Sequence, residues 1–254
     1  MKRKQKSITN KLYSVVLIVA LLLLWQILSM SGLIPEFMLP SPKRVLDAFF
    51  HEFPVLISHS YVTLKEAFFG LGIGIALSVV LALLMERFSP VRKSVYPLLV
   101  ISQTIPVVAI APLLVLWLGY GVAPKITLVV MTCFFPITVA LLGGFGSADP
   151  DAILLLRAMG ANEWQVWWHV KLPAAIPSFF SGLKISVSYS VVSAVIAEWL
   201  GGSNGLGVYM TRVRKAYAFD KMFAVIFWVI LISLLLIWLI NGLEKKAKPW
   251  EKPQ

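Results

Sequence analysis

The stretch RAMGANEWQVWWHVKLPAAIP, residues 157–177, is a polar segment in the middle of a very apolar chain. The 254 residues are 59% hydrophobic and 14% charged, whereas a soluble domain carries about 25% charged residues. Apolar runs on both sides of the segment are long enough to cross a bilayer, which takes about 20 mainly apolar residues in a helix. The sequence therefore predicts an all-α polytopic membrane protein in which residues 157–177 lie outside the membrane.

Working outward from this segment, we predict six membrane spans. The first follows a basic N-terminus, but it is long for a signal peptide and no small-x-small cleavage site follows it, so we expect it to remain uncleaved. Gly70 and Gly74 in the second span are spaced to let a neighbouring helix approach closely, although ordinary intramembrane glycine is an equal alternative. The predicted spans cover residues 12–30, 64–85, 95–118, 125–144, 179–200 and 222–242.

The distribution of basic residues predicts the orientation of these spans. With both termini in the cytoplasm, fifteen of the 23 lysines and arginines fall on the cytoplasmic side, as the positive-inside rule requires. The net charge of +11 is explained by this topology and by anionic lipid headgroups. Membrane lipid is therefore an expected partner, whereas nucleic acid is not, because no soluble stretch is large enough to form a basic face.

The chain is expected to comprise three regions. Residues 1–59 hold an N-terminal cytoplasmic tail, the first span and an outer interfacial segment, residues 60–245 the main transmembrane domain, and residues 246–254 a cytoplasmic tail. In the outer segment Ser41 precedes Pro42 as an N-cap before a proline at the first helical position. A short helix is therefore predicted there.

Residues 145–178 contain the signals of two short helices on the cytoplasmic side. Asp149 and Asp151 flank a proline, and acidic residues suit the positive end of a helix. Gly160 fits the left-handed residue that ends a helix. Asn162 then caps a second helix, with Gln165 three positions later in a capping box.

Three tryptophans share one face of the second helix. Trp164, Trp167 and Trp168 are spaced three and four residues apart, and Pro173 and Pro177 are expected to end this helix. Tryptophans resting on lipid headgroups are one interpretation. The other is a helix that inserts into a groove on a cytoplasmic protein. The residues by themselves leave both open.

The spacing of Gly160, nine residues, and then Val170-x-Leu172-Pro173 resembles the loop signature of type I ABC importer permeases. In that family the loop lies between the fourth and fifth of six spans and carries a coupling helix that docks into an ATP-hydrolysing subunit. The resemblance extends over about residues 60–245 and implies the type I ABC importer permease fold. It assigns contact with the ATPase to Asp151, Arg157, Gly160, Ala161, Asn162, Trp164, Trp167, Trp168, Leu172 and Pro173.

One feature departs from the family pattern. The family usually has Glu-Ala-Ala starting six residues before the glycine, and this chain has Leu154, Leu155 and Leu156 there. Asp149 and Asp151, further upstream, supply the acidic start instead. A glutamate-specific contact to the ATPase is therefore in doubt, while the helix–glycine–helix layout is not.

Residues 179–210, FFSGLKISVSYSVVSAVIAEWLGGSNGLGVYM, are similar to the permeases that import nitrate, sulfonates, taurine and hydroxymethylpyrimidine. LLRAMGANEWQ and LPAAIPSFFSGLKI lean towards the thiamine-precursor side. The resemblance implies a permease in a bacterial cytoplasmic membrane that is not itself an enzyme. ATP and magnesium would bind a separate ATPase, an extracytoplasmic binding protein would deliver substrate, and a second permease copy would complete a homodimer.

Five residues are candidates for the translocation path, and each has a plainer interpretation. Prolines can kink a span where it lines a cavity, serines in spans commonly bond their own backbone, and a carboxylate at an interface is solvated. The candidates are Pro106, Pro112, Ser186, Ser190 and Glu198.

The alternative function is an ion-coupled secondary transporter. Such a protein needs ionisable residues near the midplane of its spans, whereas the acidic residues here cluster at span ends. The sequence contains no G-x-x-x-x-G-K-[ST] phosphate loop, and its three histidines have no metal-ligand spacing. An integral membrane enzyme is therefore less consistent with the residues than either transporter.

Overall fold

A computed structural model describes the backbone of residues 2–248 and the side chains of residues 13 and 15–248. The secondary-structure elements within these residues are all helices, joined by turns and irregular segments. Residues 249–254 of the predicted C-terminal tail lie outside the described residues. The helices are α1 (Lys2–Met30), α2 (Pro42–His51), α3 (Phe53–Arg87), α4 (Ser89–Ser102), α5 (Val107–Leu118), α6 (Ala123–Gly146), α7 (Pro150–Ala158), α8 (Glu163–Val166), a π-helical turn (Trp167–Lys171), α9 (Leu172–Glu198), α10 (Leu206–Lys215) and α11 (Phe219–Ala247).

The chain forms two compact units. The first comprises the residues up to Ile57 together with Tyr209–Trp228, and the second comprises Ser58–Val208 and the chain from Val229 onward. Three helices, α3, α10 and α11, each contribute residues to both units.

Aromatic side chains hold the first unit together. The Trp25 ring of α1 lies 5.8 Å from the Phe223 ring of α11, and its indole N–H donates to the carbonyl of Pro40 at 3.1 Å. Ser41 caps α2 by accepting a hydrogen bond from the backbone N–H of Arg44. The predicted short helix after Ser41 is thereby confirmed.

The second unit is built on the packing of α6 against α9. At Gly182 of α9 a side chain would meet Ala140 Cβ at 2.6 Å and the Pro136 carbonyl oxygen at 2.7 Å. The Ser186 hydroxyl donates to the carbonyl of Cys133 across the same contact at 2.9 Å. Small residues and interhelical hydrogen bonds are the usual means by which membrane helices associate.

Gly70 gives α3 a similarly close approach to α6. A Cβ at Gly70 would lie 2.5 Å from Val129 Cβ, and one at Gly74 would lie 3.4 Å from Cys133 Cβ. The prediction that this pair of glycines lets a helix approach is therefore confirmed, with Gly70 at the tighter contact.

Within residues 2–248, four helical stretches are long and apolar enough to cross a membrane. They are α3, α6, the continuous stretch Glu163–Glu198 and α11, and a shorter apolar helix covers Val15–Met30. The predicted third span is not one continuous helix, because α4 and α5 are bent by 101° at the break between them. Pro106 occupies the N-cap of α5, and a proline lacks the N–H needed to continue a helix and disfavours helical geometry in the residue before it.

Candidate functional site

The polar segment between α6 and α9 begins with a well-capped helix. The Asp149 carboxylate accepts a hydrogen bond from the Asp151 backbone N–H at 3.0 Å, and Pro150 is the first residue of α7. The negative charge of Asp151 lies at the positive end of the helix dipole, and the positive charge of Arg157 lies at its negative end. Both placements stabilise the helix. The predicted helix start at Asp149 is confirmed.

Gly160 ends α7 in the left-handed conformation that the sequence predicts, with φ at +85°. Its N–H donates to the Arg157 carbonyl at 3.0 Å, and the Ala161 N–H donates to the Leu156 carbonyl at 2.9 Å. These two bonds form a Schellman motif, which satisfies the last carbonyls of the helix. Glycine is favoured at this position because a Cβ would strain the backbone.

A capping box starts α8 directly after this turn. The Asn162 side chain accepts from the Gln165 N–H, and the Asn162 N–H donates to the Gln165 side chain, both at 2.8 Å. Arg157 and Glu163 form an ion pair at 2.7 Å between the two helices. The local geometry of the segment is therefore fixed from Asp149 to Gln165, as predicted.

The three tryptophans form one stack, which we call the tryptophan surface (Trp164, Trp167 and Trp168). Ring centroids lie 5.4 Å apart for Trp164 and Trp167 and 6.2 Å apart for Trp164 and Trp168. Trp164 is 68% exposed and Trp168 53% exposed, while Trp167 packs against Phe145 of α6. Val166 is fully buried, so the helix is anchored on one side and presents aromatic rings on the other.

The prediction that Pro173 and Pro177 end this helix is wrong. The chain passes from α8 through the π-helical turn into α9 without a break, and the Leu172 N–H donates to the Trp167 carbonyl five residues earlier. Pro173 directly follows this turn and has no N–H to donate. The π-helical register lets the helix continue past the proline, so the tryptophan surface and α9 form one helical stretch.

A cavity of about 540 Å³ opens beside the tryptophan surface. The Lys171 ammonium pairs with the Glu86 carboxylate at 2.6 Å, which ties the loop to the end of α3. Tryptophan and other aromatic residues are enriched at the centres of protein interfaces. The cavity is lined by Leu83, Glu86, Arg87, Glu163, Trp164, Trp167 and Lys171.

The five candidates for the translocation path lie in different surroundings. Pro106 and Pro112 are exposed at the break before α5 and within that helix. Ser186 is buried between α6 and α9, and the Ser190 hydroxyl donates to the Val187 carbonyl of its own helix. Glu198 is 1% exposed at the far end of α9. Their part in a translocation path stays a prediction.

Sequence reasoning missed the partners of Glu198. The Thr63 hydroxyl of α3 donates to Glu198 at 2.7 Å, and the nearby Lys125 ammonium pairs with Glu66 at 2.7 Å. The sequence signal for these partners is that Thr63, Glu66 and Lys125 lie near the beginnings of predicted spans. Charged and polar residues at such positions are usually assigned to the adjoining loop. All four side chains are nearly inaccessible to solvent.

Comparisons with known proteins agree with this geometry. Residues 74–249 match the family described as the binding-protein-dependent transport system inner membrane component. The chain is 36% identical to the formylaminopyrimidine transport permease protein ThiX of Halalkalibacterium halodurans, over the whole of both chains. It is 39% identical to a probable ABC transporter permease protein of Haemophilus influenzae, over 88% of this chain and 91% of the relative.

A solved structure shows the same fold. It is a bacterial ABC transporter involved in the import of the acidic polysaccharide alginate, and it is 17% identical. The match covers 96% of this chain and 99% of that one with a TM-score of 0.65.

Proposed function

Since the chain belongs to the family of binding-protein-dependent transport inner membrane components and is the permease subunit of an ABC importer, we propose that residues 149–173 are the surface through which a separate ATPase drives it. The observation that carries the proposal is the tryptophan surface, which packs against Phe145 of α6 on one side and is exposed on the other. Aromatic residues of this kind supply most of the binding energy at protein interfaces. A groove on the ATPase is the matching partner surface.

Movement of the ATPase would reach the membrane through α9. Residues Glu163–Glu198 form one stretch of 36 residues, so a push on Trp164 acts directly on the span. Phe145 packs against Trp167, and Glu86 holds Lys171, so α6 and α3 receive the same displacement. ATP and magnesium bind the partner, and hydrolysis there alternates the access of the path between the two sides.

The proposed assembly places both termini and residues 149–173 in the cytoplasm of a bacterial cell, and the opposite ends of the spans outside. Two copies of the chain enclose the path as a homodimer, and an extracytoplasmic binding protein delivers substrate at the outer loops. Support comes from the basic residues of the inner loops and from the apolar side chains exposed along α3 and α11, which need lipid or a second copy as cover.

The proposed substrate is an aminopyrimidine precursor of thiamine. Support comes from the full-length similarity to a relative named as a formylaminopyrimidine permease. Residues 155–165 and 172–185 lean the same way in sequence. The ion-coupled alternative receives no such support, because the relatives that match the chain are named as permeases of binding-protein-dependent and ABC transport systems.

Uptake by cells tests the function and the substrate together. Cells that express the chain with its ATPase and binding protein should accumulate labelled hydroxymethylpyrimidine, and excess formylaminopyrimidine should compete while taurine and nitrate should not. Gly160→Val should lower this uptake at least tenfold while membrane insertion is unchanged. A non-glycine residue in the left-handed region costs about 1–2 kcal/mol, and a β-branched residue there distorts the turn that positions the tryptophan surface.

Gly146→Val is the matched control, because Gly146 lies in ordinary helical geometry with no atom within 4 Å of an added Cβ. Uptake in that variant should remain close to normal. Normal uptake in Gly160→Val would count against the coupling role, and competition by taurine alone would reassign the substrate.

A further inference from the structure

The end of the second unit opposite residues 147–171 is closed by the loop of residues 201–207, which joins α9 to α10. Residues 202–204 are exposed, whereas residues 205–207 are buried against α3 and α9. The backbone N–H groups of residues 205–207 each donate to a side chain from one of these two helices. In order, the three acceptors are His59 Nδ1 at 3.0 Å, Thr63 Oγ1 at 2.9 Å and Glu198 Oε2 at 2.6 Å.

Glu198 is the centre of this arrangement. Its second carboxylate oxygen accepts from the Thr63 hydroxyl at 2.7 Å, so the two side chains brace each other while they hold the loop. The carboxylate also faces the N-terminus of α10, where the helix dipole favours negative charge. Gly205 has φ at +126°, and a Cβ there would collide with the Glu198 carboxylate. The loop sequence is therefore fitted to this carboxylate.

The loop also lies beside a buried ion pair. Lys125 and Glu66 form an ion pair whose side chains are 8% and 3% exposed, and a Cβ at Gly202 would lie 3.1 Å from the Lys125 ammonium. Moving the loop away would remove its contact with the Lys125 ammonium. The loop therefore separates solvent from a polar interior.

We propose that Glu198, together with Thr63 and His59, is a latch that holds the loop of residues 201–207 closed, and that the latch releases when this end of the permease opens. The inference rests on the proposed function, because that function makes this the outer end. Glu198 is the last residue of α9, and the tryptophan surface lies at the opposite end of the same helical stretch. Displacement of α9 by the ATPase would withdraw the carboxylate from the loop.

A hydrogen-bonded latch suits a contact that must open repeatedly. Each of the three N–H groups exchanges a protein acceptor for water when the loop moves, so the net free-energy change is small compared with the strength of each bond. A loop held only by buried apolar side chains would instead expose them to solvent at every cycle. The latch is thus stable when closed and reversible when opened.

The test measures access to the buried side of the loop. Leu206 is fully buried, and its N–H is one of the three held groups. Leu206→Cys, in a Cys133→Ala background, should react slowly with a membrane-impermeant maleimide in the assembled importer. Thr63→Val and Glu198→Ala should each raise the labelling rate at least tenfold, because each removes acceptors of the loop.

Thr127→Val is the matched control for Thr63→Val. The Thr127 hydroxyl donates only to the Ala123 carbonyl of its own helix, so its loss should leave the labelling rate unchanged. Thr63→Val keeps the shape of the side chain and retains Glu198, so it tests the latch even when Glu198→Ala fails to accumulate in the membrane.

Trapping the importer with ATP and vanadate separates the latch from the coupling proposal. Faster labelling of Leu206→Cys in the trapped importer supports both. Faster labelling in Thr63→Val without any response to the trap supports the latch and counts against the coupling loop. An unchanged rate in both Thr63→Val and Glu198→Ala overturns the latch, whatever the trap does.

Discussion

Gly182 shows how much a single position decides in this protein. It lies where α9 crosses α6, and the neighbouring atoms of Ala140 and Pro136 occupy the space that a side chain would need. Interiors packed this closely respond to one added methyl group. The same contact carries the hydrogen bond from Ser186 to Cys133, so a shift there also separates polar partners.

We expect Gly182→Ala to lower the free energy of unfolding by about 1–3 kcal/mol, the usual cost of overpacking. Thermal unfolding in detergent, followed by circular dichroism, measures the change. Gly143→Ala is the control, because Gly143 is exposed in α6 and an added Cβ meets no atom within 4 Å. Equal midpoints for the two variants would show that the α6–α9 contact is not tightly packed.

Individual residues also mark the limit of what the sequence predicts about the site. The sequence identifies the residues that make hydrogen bonds to near neighbours in the chain, namely Asp149, Gly160, Asn162 and Gln165. Glu198 was identifiable only as a carboxylate near a span end, because Thr63 is 135 positions away. Contacts between distant segments depend on how the helices pack, and the spacing of residues in a single sequence does not reveal that packing.

At the scale of elements, the first unit depends on a polar junction where α2, α10 and α11 meet. Glu52 follows α2 and its side chain is 10% exposed. It accepts a hydrogen bond from the Tyr209 hydroxyl at 2.8 Å and pairs with the Lys221 ammonium at 2.5 Å. The hydrogen bond from Lys221 lowers the pKa of Glu52, while burial and the Glu52 carboxylate raise the pKa of Tyr209.

This junction should make stability depend on acid. A carboxyl whose pKa is lowered by folding stabilises the protein fully above its ordinary pKa, near 4.5, and this contribution is lost as the pH falls through the lowered value. Glu52→Gln should therefore reduce the unfolding midpoint at pH 7.5, and the difference from the unmodified chain should shrink towards pH 3.5.

Glu36→Gln is the control for that comparison, since the Glu36–Arg44 ion pair is exposed and such pairs contribute little. Its midpoint should match that of the unmodified chain at pH 7.5. A Glu52→Gln difference that stays constant from pH 7.5 to pH 3.5 would contradict the account of the junction.

Elements also show why some sequence predictions failed. Apolar length and capping signals located α3, α6, α7 and α11 because these depend on local composition. The continuation of the helix through Pro173 was missed because it depends on the π-helical turn, in which the Leu172 N–H donates to the carbonyl of Trp167 instead of that of Trp168. The sequence predicts that prolines interrupt the third span, but it does not predict the bend before α5. A proline determines where a helix breaks and leaves the angle between the two parts open.

At the scale of the whole molecule, the proposed function assigns one task to each end of the stretch Glu163–Glu198. The tryptophan surface at one end receives the ATPase, and Glu198 at the other end holds the loop of residues 201–207. A helix of 36 residues spans about 54 Å at 1.5 Å per residue, more than the thickness of a bilayer. In this proposal one continuous helical stretch connects the ATPase surface with the latch.

The most direct measurement is the amount of ATPase that co-purifies with the solubilised chain. The account predicts stoichiometric ATPase with the unmodified chain and at least tenfold less with Trp164→Ala, because truncating a central aromatic residue costs about 2 kcal/mol or more. Trp238→Ala is the control, since Trp238 of α11 is as exposed as Trp164, at 71% against 68%, but lies far along the chain from the loop. Undiminished ATPase with Trp164→Ala, or no ATPase with the unmodified chain, would contradict the account.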